Sequence, residues 1–187
     1  GGHRLDRLVK DGHEVVGLDD VSTGSPANMA ASRGRFTFIE GSVCDAATAA
    51  RALDGVTHVI HLASVPSVPR SVDNPLESAM ASIIGTVTLL DGARRAGVER
   101  VVQSTSSSAY GDSAVLPRVE TLPPSPMSPY AAAKMTQEYY GAVFAKCYGC
   151  GVISLRSFNG FGPRQNADRP VAAGVSQFIK PDRGGAV

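Results

Sequence analysis

Tyr130 and Lys134 stand four residues apart in "SPYAAAKM" (128–135), with three alanines between them. On a helix that spacing rises about 6 Å and returns both side chains to one face. A phenol held beside an ammonium can act as a base. A free tyrosine has a pKa near 10, and bringing it to about 7 takes roughly 4 kcal/mol, which a nearby ammonium and a positive nicotinamide ring can supply in a partly desolvated site. Five tyrosines in 187 residues could meet a lysine at this spacing by accident, so the pair needs company. "VVQSTSSSAYGD" (101–112) leaves an apolar run in a burst of hydroxyls. At the C-terminal end of a parallel strand such groups face the ligand crevice, although a serine run alone reads as a turn with local hydrogen bonds. A serine there can hold a substrate hydroxyl whose proton the tyrosine takes. Asp19 ends "HEVVGLDD" (13–20). A carboxylate at that place accepts both hydroxyls of an adenosine ribose and repels a 2′-phosphate, which selects NAD over NADP; the plainer reading is an exposed turn aspartate.

The elements that would position these groups are legible. "HEVVGLDD" (13–20), "RFTFIE" (35–40), "THVIHLA" (57–63), "RVVQSTS" (100–106) and "GVISLRS" (151–157) are short β-branched apolar runs of the kind that form buried parallel strands. Between them, "HRLDRLVKDG" (3–12) spaces Leu5, Leu8 and Val9 on one helical face and ends at Gly12. Asp45 can cap "AATAARALDG", Asn74-Pro75 can start a helix running through Ala96, and Ser128-Pro129 starts the helix carrying Tyr130. Strands alternating with helices predict an α/β fold, a doubly wound parallel sheet of the Rossmann kind. The opening "GGHRLDRL" resembles the third glycine of a dinucleotide-binding turn without the strand before it. The expectation is therefore a sheet lacking its first, central strand, with the 13–20 and 57–63 strands on either side of the gap. Residues 1–160 are expected to form the NAD-binding domain and 161–187 the start of a C-terminal substrate-binding region.

Composition excludes other classes. With 43% hydrophobic residues and a formal charge of +1, nothing suggests nucleic acid, and no apolar stretch reaches the eighteen or so residues that span a membrane. Three cysteines, an odd number, argue against a disulfide framework and for a reducing cytoplasm. "CYGC" (147–150) has redox or metal spacing but no second ligand pair, and reads as two small apolar residues at a helix end.

Taken together, "GGHRLDRLVKDGHEVVGLDDVSTG", "EGSVCD", "HLASVPSVPRSVDNP", "GTVTLLDGARRAGVERVV", "STSSSAYGD", "SPYAAAK" and "LRSFNGFGPRQ" resemble the NAD-dependent sugar epimerase/dehydratase family of extended short-chain dehydrogenases. The resemblance implies Ser106 as catalytic serine, Tyr130 as base and Lys134 as its partner. It implies an NAD site drawn from Gly1, Asp19, Asp20, Thr23, Gly24, Ser42, Val43, Leu62, Ala63, Ser64, Ser82, Tyr130, Lys134 and Phe158, and substrate contacts from Ser67, Ser106, Tyr130 and Asn159. "SVPRS" (67–71) is similar to UDP-hexose and UDP-N-acetylhexosamine 4-epimerases, which implies 4-epimerisation of a UDP-sugar through a 4-keto intermediate by a homodimer.

Departures keep alternatives open. The family's dehydratases and decarboxylating members carry an acid at the positions of Ser107 or Ser108, and its usual Asp, Asn and Tyr are replaced by Ser42, Ser82 and Ser157, with Pro66 in place of a polar residue. A 4,6-dehydratase or decarboxylase of the same family, and a non-catalytic NAD-binding or decayed segment, are the competing expectations.

Overall fold

In the computed structural model, residues 1–160, 162 and 164 are described. Five strands alternate with helices: α1 (Gly2–Lys10), β1 (Val16–Asp19), β2 (Thr37–Glu40), α2 (Ala46–Leu53), β3 (His58–His61), α3 (Val68–Asp73), α4 (Pro75–Ala79), α5 (Gly85–Arg95), β4 (Arg100–Ser106), α6 (Pro129–Tyr148) and β5 (Gly151–Ser157). The two C-terminal strand runs match their expected bounds. The first three strands are shorter than the apolar runs that announce them.

All strand pairs are parallel. They form two ladders, β1–β2 and β3–β4–β5, with Val16 opposite Thr37, His58 opposite Arg100 and Ser106 opposite Ser157. Among the described residues β1 and β3 share no ladder. The division falls where the sequence placed a further central strand. Most of 161–187 lies outside the described residues; Arg164 reaches back to Asp6 Oδ2 at 2.6 Å and to the Asn28 carbonyl at 2.9 Å.

Local chemistry accounts for the helix ends. Asp45 accepts the Thr48 N–H at 3.0 Å, Asn74 accepts that of Glu77 at 3.2 Å, and Ser128 accepts that of Ala131 at 3.1 Å, each satisfying one of the donors that a helix start leaves unpaired. Helix α6 stops at Gly149, which adopts the left-handed conformation at φ 70° and donates to the Ala145 carbonyl. Cys147 is exposed there, and Cys150 packs against the core.

The helix expected from Asn74 to Ala96 is one run interrupted by a π turn at Met80–Ile84, where Gly85 N–H donates to the Met80 carbonyl. A short helix, α3, precedes it, and 3₁₀ segments occupy Pro26–Ser32 and Ser107–Tyr110. No helix among the described residues is long and apolar enough to cross a membrane.

The core sits between α2, α5 and α6 and the face of β3–β4–β5, built from Leu53, Leu89, Leu90, Ala93, Val101 and Phe144. Gly141 lets α6 approach the sheet closely. A Cβ there would lie 2.6 Å from Gln103 Nε2 and 3.0 Å from Val152 Cγ1. Helix propensity alone favours Gly141→Ala by up to about 1 kcal/mol, whereas overpacking costs about 1–3 kcal/mol. The clash should win. A lower urea midpoint with an unchanged slope is the expected result, and a raised midpoint would show that α6 can back away freely.

Candidate active site

The C-terminal end of β4 carries Ser106, which also caps the 3₁₀ turn Ser107–Tyr110. Its oxygen accepts the Ser108 N–H at 3.2 Å and the Ser108 hydroxyl at 2.8 Å. Helix α6 brings Tyr130 and Lys134 to the same place. Ser106 stands near enough to the Tyr130 phenol to pull its pKa down, and Lys134 Nζ lies 5.9 Å from the centre of the Tyr130 ring. These groups thus come together at one strand end.

Burial pushes the Tyr130 phenol above its ordinary value, with Ser106 pulling the other way. Desolvation disfavours the phenolate here more than its neighbours favour it. Lys134 is 4% exposed and gives one N–H to the Ser104 carbonyl at 2.9 Å. Burial lowers its pKa to about 8. His61 is lowered to about 4, first by burial and then by the Lys134 charge, so its imidazole is neutral and adds no second cation.

Several residues that position α6 escape a motif-based reading. Gln137, one turn beyond Lys134, donates to the Ser82 carbonyl at 3.1 Å and to Thr86 Oγ1 at 2.6 Å. Thr86 donates to the same carbonyl at 2.5 Å and meets His61 Nε2 at 2.9 Å. Thr86 gives one proton and has two lone pairs, so an Nε2-protonated His61 completes its bonding. Gln103 on β4 donates to the Gln137 carbonyl at 2.8 Å and to Ser154 Oγ at 2.7 Å. Glu138 pairs with Arg156 of β5 at 2.8 Å, both largely buried, and accepts from Thr105 at 2.8 Å. The signal was available as polar residues inside apolar runs: His61 in "THVIHLA" and Gln103 in "RVVQSTS".

Other expected site residues fall into two groups. Asp19 lies exposed at the end of β1 and accepts the Val21 N–H at 2.8 Å; Asp20 accepts from Ser22. Gly1 and Gly24 are exposed, Thr23, Ser42 and Val43 half-buried, Leu62 and Ala63 exposed after β3. Phe158 and Asn159 are exposed just beyond β5, with Phe158 stacked on Tyr110 at 6.4 Å. By contrast, Ser67 is buried and caps α3 by accepting the Arg70 N–H at 3.1 Å. Ser82 is sealed in the π turn at 0% exposure. The helix start and the widened turn have taken these two serines into the fold.

A family model described as the NAD dependent epimerase/dehydratase family matches residues 1–181. The chain belongs to that family. A UDP-glucose 4-epimerase of Mycolicibacterium smegmatis is 39% identical over 170 residues, covering 89% of this chain and 54% of the relative. A dTDP-glucose 4,6-dehydratase of Streptomyces griseus is 36% identical over 172 residues, 90% of this chain and 52% of the relative. Among solved structures, UDP-N-acetylglucosamine 4-epimerase from Methanobrevibacter ruminantium M1, in complex with UDP-N-acetylmuramic acid, superposes with a TM-score of 0.90 at 34% identity, over 96% of this chain and 57% of that one. The chain therefore spans little more than half the length of these members of its family.

The residues present fit the cofactor this family depends on. Ser64 Oγ, just after β3, is a buried polar atom with no partner among the described residues. Lys134 gives one of its three N–H donors to Ser104, leaving two for a ribose hydroxyl.

Lys134 makes folding depend on pH in a defined direction. Its folded pKa of about 8 lies below the ordinary 10.5, so the unfolded chain binds the extra proton between those values. Stability from this group is lost as pH falls through 8 and is fully present above 10.5, a span of roughly 3 kcal/mol at most. Lys134→Met removes the buried charge. Urea unfolding should find the variant more stable than wild type at pH 7.5, with the difference shrinking by pH 10. A difference that stays constant across this range would mean that Lys134 is well solvated.

Proposed function

We propose that the full-length protein is an NAD-dependent UDP-sugar 4-epimerase. The observation that carries this reading is the convergence of Ser106, Tyr130 and Lys134 at the C-terminal end of β4. The epimerase relatives support it.

In this reading Asp19 accepts the adenosine ribose hydroxyls, which favours NAD over NADP. Asp20, Thr23, Gly24, Ser42, Val43, Leu62, Ala63 and Ser64 line the rest of the cofactor's path, with Phe158 near its nicotinamide end and Asn159 toward the nucleotide-sugar. Lys134 holds the nicotinamide ribose through its remaining donors and supports the Tyr130 phenolate. Bound NAD would accept a hydride from C4 of the sugar and return it to the other face, its positive ring helping to bring Tyr130 down from the value that burial imposes. Tyr130 takes the proton of the sugar 4-hydroxyl, and Ser106 donates to the oxygen of the 4-keto sugar that results. Tyr130 gives the proton back when the ring has turned over, with no net redox change.

The dehydratase reading is favoured by the Streptomyces griseus relative. It needs an acid near the hydroxyls to drive elimination. Ser107 and Ser108 stand where the dehydratases carry theirs, and Glu138 is engaged with Arg156 and Thr105. The free cysteines among the described residues suit a cytoplasmic protein.

A homodimer completes the proposal. Leu76, Met80 and Ile84 are exposed at successive four-residue steps, and Tyr139, Tyr140 and Val143 are exposed on α6, which packs against α4. Both stripes lack charge, which suits a second copy of the same surface. Sedimentation equilibrium of the full-length protein should give twice the chain mass, and Leu76→Glu should return it to one. A wild-type monomer at micromolar concentration would remove the dimer.

For the chemistry, Tyr130→Phe deletes one oxygen and should leave folding and NAD binding nearly intact. Turnover of UDP-glucose or UDP-N-acetylglucosamine should fall by about 10²–10⁴. Near-normal epimerisation in this variant would mean that the phenol is not the base.

A further inference from the structure

The hydroxyl next to the proposed catalytic serine has a geometry that restricts what Ser106 can do. A serine oxygen has two acceptor lone pairs and one proton to give. Ser108 reaches both lone pairs of Ser106 Oγ, with its backbone N–H at 3.2 Å and its hydroxyl at 2.8 Å. The 3₁₀ turn that Ser106 caps makes this possible, because it folds the chain back within two residues. Ser108 is half-buried, and Ala109 and Tyr110 behind it are fully buried, so the turn is anchored. Arg156 adds to that anchorage, its guanidinium lying 4.7 Å above the Tyr110 ring.

We infer that Ser108 is a positioning residue for the reaction: by filling both acceptor sites of the Ser106 hydroxyl, it leaves Ser106 able only to donate, toward the Tyr130 oxygen or the sugar oxygen. The inference rests on the reading of Tyr130 as base. A phenolate only accepts hydrogen bonds, so when Tyr130 is ionised Ser106 must give its proton to it. The bond between the two serines must then run from Ser108 to Ser106. Each donation polarises the next, which strengthens the hydrogen bond that stabilises the phenolate. Two consequences follow for the chemistry. Ser106 has no lone pair left to take the sugar's proton, so that proton passes directly from the 4-hydroxyl to Tyr130. As the C4–O bond becomes a carbonyl, Ser106 remains a donor facing the oxygen.

The test is an ultraviolet difference titration of Tyr130 in the full-length protein, with Tyr130→Phe as the blank. Ser108→Ala should raise the Tyr130 pKa by about half to one unit, the effect of losing one hydrogen bond in the chain. Ser106→Ala should raise it further, and the double variant should match Ser106→Ala alone, because Ser108 acts only through Ser106. Ser108→Thr, which keeps the hydroxyl, should titrate as wild type. In epimerisation, Ser108→Ala should lower kcat about tenfold, with KM within about twofold, and move the acidic limb of the pH profile upward. An unmoved Tyr130 pKa in Ser108→Ala, or additive shifts in the double variant, would overturn the positioning role whatever the turnover. Wild-type protein that shows the expected titrations yet epimerises no UDP-sugar would instead overturn the reading of the overall reaction and leave the serine chain standing.

Discussion

A buried ammonium is expensive, and the architecture around Lys134 is organised by that expense. Its charge is almost fully removed from water and has a single carbonyl, that of Ser104, as its described hydrogen-bond partner. A second cation nearby would make the site untenable, and His61, sealed beside it, is neutral. Burial and the Lys134 charge keep His61 neutral, and its hydrogen bonds run through Thr86 and Gln137 to the Ser82 carbonyl. Gln137 is one turn from Lys134 on the same helix. Electrostatic tolerance of the lysine and the placement of α6 are therefore parts of one arrangement.

A second set of bonds holds the other side of α6. Arg156 and Glu138 form a fork-to-fork pair with side chains 16% and 14% exposed, and Thr105 adds a bond to Glu138. Breaking such a pair from one side leaves an uncompensated charge, typically at about 3–5 kcal/mol. Gly141 sets how near the helix lies to the sheet. Rotation, tilt and distance of α6 are each governed by different residues, and the Tyr130–Lys134 face inherits its position from all of them.

Much of this could be read from the chain. The apolar runs marked all five strands, because buried parallel strands need β-branched residues on both faces. Asp45, Asn74 and Ser128 marked helix starts because a cap is a local event. The grouping of Ser106, Tyr130 and Lys134 was legible since the spacing is intrinsic to one helix and one strand end. Ser67 escaped although its cap is local, its oxygen accepting the N–H of Arg70 three residues on, whereas the enclosure of Ser82 in the π turn depends on how the whole helix packs. The phenol of Tyr130 was expected low on the strength of its lysine and a nicotinamide ring, whereas within the protein alone burial, a property of the whole fold, pushes it up. Gln103 and Gln137 stood out only as polar residues in apolar company.

The π turn at Met80–Ile84 also has a geometric effect on the helix that contains it. Leu76, Met80 and Ile84 stay exposed on one side, while Ser78 and Ser82 before and within the turn and Gly85, Thr86, Leu89, Leu90 and Ala93 after it stay buried on the other. One extra residue in a turn amounts to about 100° of rotation about the axis. The segment therefore works as a splice that takes up one extra residue while a single rod keeps one face inward along its whole length. The Ser82 carbonyl within this turn accepts from both Thr86 and Gln137, so the widened turn sits where the polar core is anchored.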